Sequence, residues 1–209
     1  MVARALHLVR HGEVDNPAGV LYGRLPGFRL SARGERMAAA TARAIADLPV
    51  TRIVASPLTR TQQSAQPIAE AFGLPVESDD RLIEAGNRLE GRRSAGLALV
   101  TSPRNWPLYT NPLRPSWGEP YREIVERMRA AMLDVLRTTE SGDAVIVTHQ
   151  LPIWMVHRSV NREPLPHDPR HRRCALSSVT TFERRDGRIV ETAYADPAAS
   201  VPAVDEGAA

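Results

Sequence analysis

Short apolar segments alternate with amphipathic segments along most of the chain. The apolar segments, whose length and composition are typical of strands, are residues 5–9, 51–56, 75–78 and 144–149. The amphipathic segments, where apolar residues recur at helical spacing, are residues 32–47, 58–72, 121–139 and 151–160. The third of these predicts a long helix most clearly, since its apolar positions are 124, 125, 128, 132, 135 and 136.

Capping and turn residues mark the ends of several elements. Ser31 precedes the first predicted helix, where its hydroxyl can accept a hydrogen bond from the first turn. Gly73 follows the second helix and predicts its end. Near the C-terminus, Asp186-Gly187 is typical of a two-residue turn between hairpin strands.

Strands that alternate with helices predict an α/β fold, a three-layer α/β/α sandwich with a largely parallel central sheet. The pattern places one domain over residues 1–195 and a disordered tail over residues 196–209. Residues 92–120 lack periodicity and are rich in proline, which predicts a lid insertion. The lid candidates that could contact a leaving group are Trp106, Tyr109, Arg114 and Trp117. A satellite hydrophobic cluster at the sheet edge is the open alternative for them.

Composition narrows the range of functions. The apolar fraction of 43% supports a packed core, and no apolar stretch is long enough for a spanning helix. The N-terminus leaves no room for a signal peptide, and the single Cys174 fits a reducing cytoplasm. All 27 basic residues are arginine, yet no basic run with interleaved aromatics suggests nucleic acid. We therefore expect neither a nucleic-acid nor a membrane partner.

Charged and polar residues stand at the ends of the predicted strands, where open α/β sheets bind ligands. These residues are Arg10, His11 and Gly12 after the first strand, Arg60 after the second, Glu84 after the third and His149 after the fourth. Two arginines and one histidine can bind a dianionic phosphate, and a second histidine can attack its phosphorus. A carboxylic acid can protonate the departing oxygen. Because the arginines neutralise the phosphate charge, this chemistry requires no metal or other cofactor.

Four motifs in this order resemble those of the histidine phosphatase superfamily, also called the phosphoglycerate mutase-like family. They are LVRHG (8–12), SPLTR (56–60), RLIEAGNRLEG (81–91) and VIVTH (145–149), and the resemblance spans residues 5 to about 195. It implies a metal-independent enzyme in which His11 is transiently phosphorylated. It further implies that Arg10, Arg60, His149 and Asn16 bind phosphate, that His149 belongs to the catalytic set, and that Glu84 exchanges protons.

The chain departs from the family pattern at three places. Pro17 occupies a position where many relatives have asparagine, with Asn16 just before it. Leu89 replaces a common aromatic, and Gln150 follows His149 where glycine is frequent. Gln150 either supplies a phosphate donor or fills space.

Other polar residues leave alternatives open. The acids that compete with Glu84 as proton donor are Asp79, Asp80 and Glu90. His167, His171 and Cys174 have a spacing seen in zinc sites, but no fourth ligand is evident, so we expect no metal. The arginines around them, at 162, 170, 172 and 173, either rim the pocket or solvate a loop.

These features predict a cytoplasmic hydrolase that releases phosphate from a phosphorylated small molecule through phospho-His11. One alternative is a mutase that returns the phosphoryl group to a phosphosugar acid. Related mutases tend to be longer, so the short chain favours hydrolysis. A second alternative is a non-catalytic phospholigand-binding module, against which the intact His11 and Glu84 argue. The oligomeric state stays open, a homodimer being one option.

Overall fold

The computed structural model describes residues 3–93 and 117–201. Its strands are β1 (Ala5–Arg10), β2 (Val50–Ala55), β3 (Val76–Ser78), β4 (Asp143–Thr148), β5 (Val179–Arg185) and β6 (Arg188–Ala195). They form one six-stranded sheet in the order β3-β2-β4-β1-β5-β6. The first four strands pair in parallel, whereas β5 is antiparallel to β1 and β6 to β5. The predicted largely parallel sheet is therefore confirmed.

Helices cover both faces of the sheet. Among the described residues they are α1 (Ala32–Ala44), α2 (Thr59–Phe72), α3 (Tyr121–Thr138) and α4 (Gln150–Val160). Leu6 and Leu8 of β1 pack in one core cluster with α3 and α4, whereas Val9 packs in another with α1 and α2. Since alternate strand residues point to opposite faces, this division gives three layers, as predicted.

The predicted local signals are present at the element ends. The Ser31 hydroxyl accepts from the Gly34 N–H at 3.0 Å and caps α1. Gly73 ends α2 in the left-handed region, with φ of 65°. The hairpin turn uses positive φ at both Asp186 (50°) and Gly187 (76°). These positions confirm the cap and turn assignments.

Helix α1 is shorter than its sequence pattern suggests. The amphipathic pattern extends to residue 47, but the helix ends at Ala44. Pro49 follows at the start of the connection to β2. Proline disfavours the helical conformation only at the residue before it, Leu48, whereas the chain already leaves the helix at Ile45, with φ of −106° and ψ of 5°.

Most of the predicted lid lies outside the described residues, including Trp106, Tyr109 and Arg114. Trp117 is described, and its carbonyl accepts from the Arg88 N–H at 2.7 Å. Within the predicted tail, Ala198 is 1% exposed and belongs to a small cluster with Met37. The tail prediction did not anticipate this packing at residues 196–201. No helix in the described ranges is long and apolar enough to cross a membrane.

Candidate active site

Two parallel strands in the centre of the sheet bring His11 and His149 together. Arg10 at the end of β1 is in register with Thr148 at the end of β4. His11 and His149, which directly follow these strands, are therefore neighbours. The His11 N–H donates to the Thr148 carbonyl at 3.1 Å, and the two imidazole centroids are 5.2 Å apart. Parallel pairing therefore accounts for the meeting of two residues that are far apart in sequence.

His11 is held in the tautomer that a nucleophile needs. Its Nδ1 lies 2.8 Å from the Gly12 carbonyl, which can only accept, so Nδ1 carries the proton and Nε2 keeps its lone pair. Arg60 Nε donates to Nε2 at 3.3 Å. Burial, followed by the charges of Arg60 and Arg10, places the pKa of His11 well below its ordinary value. The ring is therefore neutral at neutral pH.

The backbone around His11 requires glycine at two positions. A Cβ at Gly12 would lie 2.5 Å from the Gly34 carbonyl oxygen, and a Cβ at Gly34 would lie 2.0 Å from that of Glu13. The loop after β1 is thus pressed against the first turn of α1. The Gly12 N–H also donates to Ser64 Oγ on α2 at 3.1 Å. These contacts fix the position of the His11 backbone.

Two buried arginines flank His11. Arg60, in the first turn of α2, is 1% exposed and Arg10 is 0% exposed. Arg60 Nη2 donates to the Gly23 carbonyl at 2.7 Å, and its Cζ lies 4.8 Å from the centroid of the Tyr22 ring. Arg10 Nη1 donates to the Cys174 carbonyl at 2.7 Å. These contacts orient both guanidinium groups, and each arginine carries a positive charge at neutral pH.

His149 lies between Arg60 and an acid. Its Nδ1 lies 3.2 Å from Arg60 Nη2, a donor, so Nδ1 accepts and Nε2–H donates to Ser56 Oγ at 2.8 Å. Burial and then the Arg60 charge hold the pKa of His149 well below its usual range. Its Nδ1 is also 4.0 Å from Glu84 Oε2.

Glu84 is the only one of the four candidate acids that contacts His149. It is 0% exposed, and its Oε1 accepts from the Ala85 N–H at 2.8 Å. Its Oε2 is buried without a hydrogen-bond partner among the described residues. Burial raises the pKa of this carboxyl, which favours the protonated form that a general acid needs.

The three competing acids have other partners or environments. Asp79 pairs with Arg81 at 2.6 Å, and Asp80 is exposed. Glu90 Oε1 accepts from the backbone N–H groups of Arg24 and Asn87, each at 3.1 Å. The contacts of Asp79 and Glu90 support the local loop structure.

Two other residues singled out in the sequence make different contacts. The Asn16 amide donates to the Val20 carbonyl at 2.9 Å and accepts from the Val20 N–H at 3.1 Å. These bonds close a loop, and the phosphate role of Asn16 stays a prediction. Gln150 Oε1 accepts from Arg172 Nη1 at 3.0 Å.

The residues of the zinc-like motif separate in space. His167 Nε2 accepts from Arg172 Nε at 2.9 Å, the His171 side chain is 80% exposed, and Cys174 is buried. No group of three metal-ligating side chains occurs within residues 3–93 and 117–201. Of the nearby arginines, Arg172 is partly buried beside Glu84, whereas Arg170 is exposed.

Tyr22 and Arg172 were not individually identified as site residues from sequence. Tyr22 is 2% exposed and lies against both Arg60 and the edge of the His11 ring. It occupies a Gly- and Pro-rich loop in which no periodic pattern marks a buried residue. The residues that the structure brings together here are Arg10, His11, Arg60, Glu84 and His149.

Comparisons relate the chain to known proteins. A model of the histidine phosphatase superfamily (branch 1) matches residues 6–197. The uncharacterized protein Rv0525 of Mycobacterium tuberculosis is 49% identical over 196 residues, covering 93% of this chain and 96% of that protein. A probable phosphoglycerate mutase, GpmB of Yersinia enterocolitica, is 32% identical over 210 residues, covering 95% and 96%.

A solved structure shares the fold. The mycobacterial glucosyl-3-phosphoglycerate phosphatase Rv2419c superposes with a TM-score of 0.73 at 22% identity, covering 90% of this chain and 96% of that chain. At this identity the likeness is one of fold. The family model matches nearly the whole chain, and the chain therefore belongs to the histidine phosphatase superfamily.

Proposed function

We propose that this protein hydrolyses phosphomonoesters of small molecules through a phosphohistidine on His11. The observation that carries the proposal is the neutral His11 ring, whose Nδ1–H is bound to the Gly12 carbonyl while Nε2 faces Arg60. A neutral imidazole with an available lone pair is a nucleophile, and the adjacent guanidinium attracts the phosphate that it attacks.

In the first step, His11 Nε2 forms a bond to phosphorus as the bond to the ester oxygen breaks. Arg10 and Arg60 neutralise the charge that develops on the equatorial oxygens, and His149 lies on the same side of the site. Glu84 gives its proton to the departing oxygen, so an alcohol leaves. The raised pKa of Glu84 is suited to this role because the carboxyl holds its proton at higher pH.

In the second step, the Glu84 carboxylate accepts a proton from water as the water oxygen attacks phosphorus. The phosphorus–nitrogen bond breaks, inorganic phosphate is released and His11 returns to its neutral form. Each group finishes in its starting protonation state. Since two arginines neutralise the phosphate, the proposed mechanism requires no metal.

Rapid quench into alkaline detergent tests the intermediate. We expect label from a 32P-labelled aryl phosphate to remain on the wild-type protein in an acid-labile, alkali-stable linkage, as phosphohistidine requires. The Glu84→Gln protein should accumulate more label, because it lacks the carboxylate that accepts a proton from the attacking water. His11→Gln should take up none. Catalytic phosphate release by wild type without any trapped label on a millisecond scale would oppose the covalent route.

A mutase is the second candidate, because the GpmB relative is described as a probable phosphoglycerate mutase. Both activities share the phosphohistidine step and differ in the acceptor. Phosphorus NMR of wild-type protein with a phosphorylated hydroxy acid distinguishes them. Inorganic phosphate as the main product supports the hydrolase, whereas a positional isomer of the ester as the main product supports the mutase.

A further inference from the structure

Two arginines from other parts of the chain hold the backbone of the segment that carries Glu84. Arg24, in the loop after β1, donates from Nε to the Glu84 carbonyl at 2.7 Å. Arg127, in α3, donates from Nη1 to the Arg81 carbonyl at 2.7 Å. The backbone is thus held at Glu84 itself and three residues before it, in both cases by a charge-assisted hydrogen bond.

The carboxylate of Glu119 joins these two arginines. Arg24 Nη2 donates to its Oε2 at 2.8 Å. Arg127 donates from Nε to Oε1 at 2.8 Å and from Nη2 to Oε2 at 3.1 Å. Because one negative charge lies between the two cations, both guanidinium groups can approach the Glu84 segment without strong mutual repulsion. Glu119 therefore fixes the position of both arginines.

Glu119 also contacts the Glu84 segment directly, two residues after Glu84. Its N–H donates to the Gly86 carbonyl at 2.9 Å, and its Oε2 accepts from the Gly86 N–H at 3.4 Å. A Cβ at Gly118 would lie 2.8 Å from the Gly86 carbonyl oxygen, so this close approach of the two backbones requires glycine. The contacts of Glu119 therefore reach the segment on both sides of Glu84.

The Glu84 carboxyl depends on its backbone for its position. Its Oε1 accepts from the N–H of the adjacent Ala85, and its Oε2 has no hydrogen-bond partner among the described residues. A general acid must lie within hydrogen-bond reach of the oxygen that it protonates. A displacement of the segment would therefore move the carboxyl away from the leaving group, since its side-chain contacts are too few to hold it.

We propose that Glu119 is a positioning residue for Glu84 and acts through Arg24 and Arg127. This inference rests on the proposed function, because it takes Glu84 as the proton donor to the departing alcohol. The loss of the Glu119 charge should impair proton donation to the leaving group, whereas attack by His11 should continue.

Two esters with different leaving groups test the inference. Glu119→Gln replaces one carboxylate oxygen by an amide donor that faces two guanidinium groups. We expect kcat/KM at pH 7 to fall about 10–100-fold for n-butyl phosphate, whose alcohol needs a proton to leave. For p-nitrophenyl phosphate, whose phenolate leaves unprotonated, we expect a loss of no more than about threefold. A general disturbance of the fold would lower both values.

A double-mutant cycle distinguishes positioning from an independent role. When Glu84 is already glutamine, Glu119→Gln should lower kcat/KM for n-butyl phosphate by less than about twofold, because the acid that it positions is absent. Full additivity of the two losses would overturn the inference.

Glu77→Gln is the matched control, because Glu77 on β3 accepts from Arg52 Nε at 2.8 Å and from Arg52 Nη2 at 2.7 Å. It loses the same charge from an arginine pair outside this network and should retain wild-type activity on both esters. Arg24→Met is the second variant, since it removes the direct contact with the Glu84 carbonyl. It should show the same selective loss, and it decides the question if circular dichroism shows that Glu119→Gln is unfolded.

The outcomes separate the inference from the proposed function. Wild-type hydrolysis of both esters, with equal losses or no loss on the two in folded Glu119→Gln or Arg24→Met, would reject the inference and leave the proposed hydrolysis intact. A selective loss on n-butyl phosphate that disappears in the Glu84→Gln background would uphold both. Failure of wild type to hydrolyse either ester would reject the proposed function, and the inference with it.

Discussion

Two buried histidines lie at opposite ends of strand β1, His7 near its start and His11 directly after its end. The charges of the groups around them differ. His7 is 4% exposed and His11 is 0% exposed, so burial alone does not distinguish them. His7 lies between Asp143 Oδ2 at 3.3 Å and Thr181 Oγ1 at 3.0 Å. His11 faces arginine instead.

The hydrogen-bond partners of the two imidazole rings leave different nitrogens available for reaction. The Asp143 carboxylate can only accept, so His7 Nε2–H donates to it and Nδ1 accepts from the Thr181 hydroxyl. Both nitrogens of His7 are therefore occupied by groups that stay in place. At His11, Nδ1 alone is anchored to a carbonyl, and Nε2 shares its lone pair with a guanidinium that a phosphate oxygen can engage. The first arrangement holds the fold together, whereas the second suits the nucleophile that we propose.

The largest expected effect comes from exchanging each histidine for glutamine. His11→Gln should lower kcat/KM by about 10⁴-fold or more, because loss of a covalent nucleophile removes the whole reaction path. His7→Gln should change kcat/KM by less than about threefold, since surface or structural changes away from the site leave the transition state untouched. Phosphate release from p-nitrophenyl phosphate at pH 7 measures both.

His7→Gln is the matched control, since it replaces a buried histidine of the same strand. Circular dichroism spectra establish that both variants are folded. A loss of more than about a hundredfold in folded His7→Gln would break the comparison between the two ends of β1.

Glu84 provides the next test, because burial raises its pKa and so favours the protonated form that a general acid needs. Glu84→Gln should lower kcat/KM by about 10²–10³-fold for an alkyl phosphate but by less than about tenfold for p-nitrophenyl phosphate, whose phenolate leaves without a proton. Since burial raises the pKa of Glu84, wild-type activity on the alkyl phosphate should fall as pH rises through that pKa. Glu84→Gln should lack this basic limb.

Glu90→Gln is the control for this experiment. The Glu90 side chain accepts from backbone N–H groups, and a glutamine oxygen can still do so. We expect its pH profile and its alkyl-to-aryl ratio to match those of wild type. A similar loss on both esters in Glu84→Gln would mean that the residue acts on phosphate binding rather than on the leaving group.

Features that depend on local chemistry were predictable from sequence. Ser31, Gly73 and Asp186-Gly187 act through backbone groups one to four residues away. The meeting of His11 and His149 was predictable for a different reason. Parallel strands place their carboxyl ends at one edge, so two residues that each follow a strand meet there regardless of sequence separation.

Features that depend on loop packing were not predictable. Nothing in the composition of its loop distinguishes Tyr22 from other aromatic residues, yet it stacks under Arg60. Arg172 was one of four arginines with similar sequence neighbours, and its position follows from contacts with His167 and Gln150. The amide of Asn16 bonds to the backbone of Val20, a contact that its motif position did not predict. Such contacts arise only when the tertiary structure forms.

The smallest expected effect is at the start of β1, where the histidine serves the fold. Asp143 accepts from the Ala5 N–H with Oδ1 and from His7 with Oδ2, so Asp143→Ala leaves two buried donors without partners. We expect urea unfolding to show a loss of about 2–4 kcal/mol, with kcat unchanged within about threefold. In a double-mutant cycle, His7→Ala and Asp143→Ala should couple by about 0.5–1.5 kcal/mol, because each removes the other's partner. A coupling near zero would mean that the pair contributes no interaction of its own. A loss of kcat in these variants would mean that the start of β1 affects the reaction at its other end.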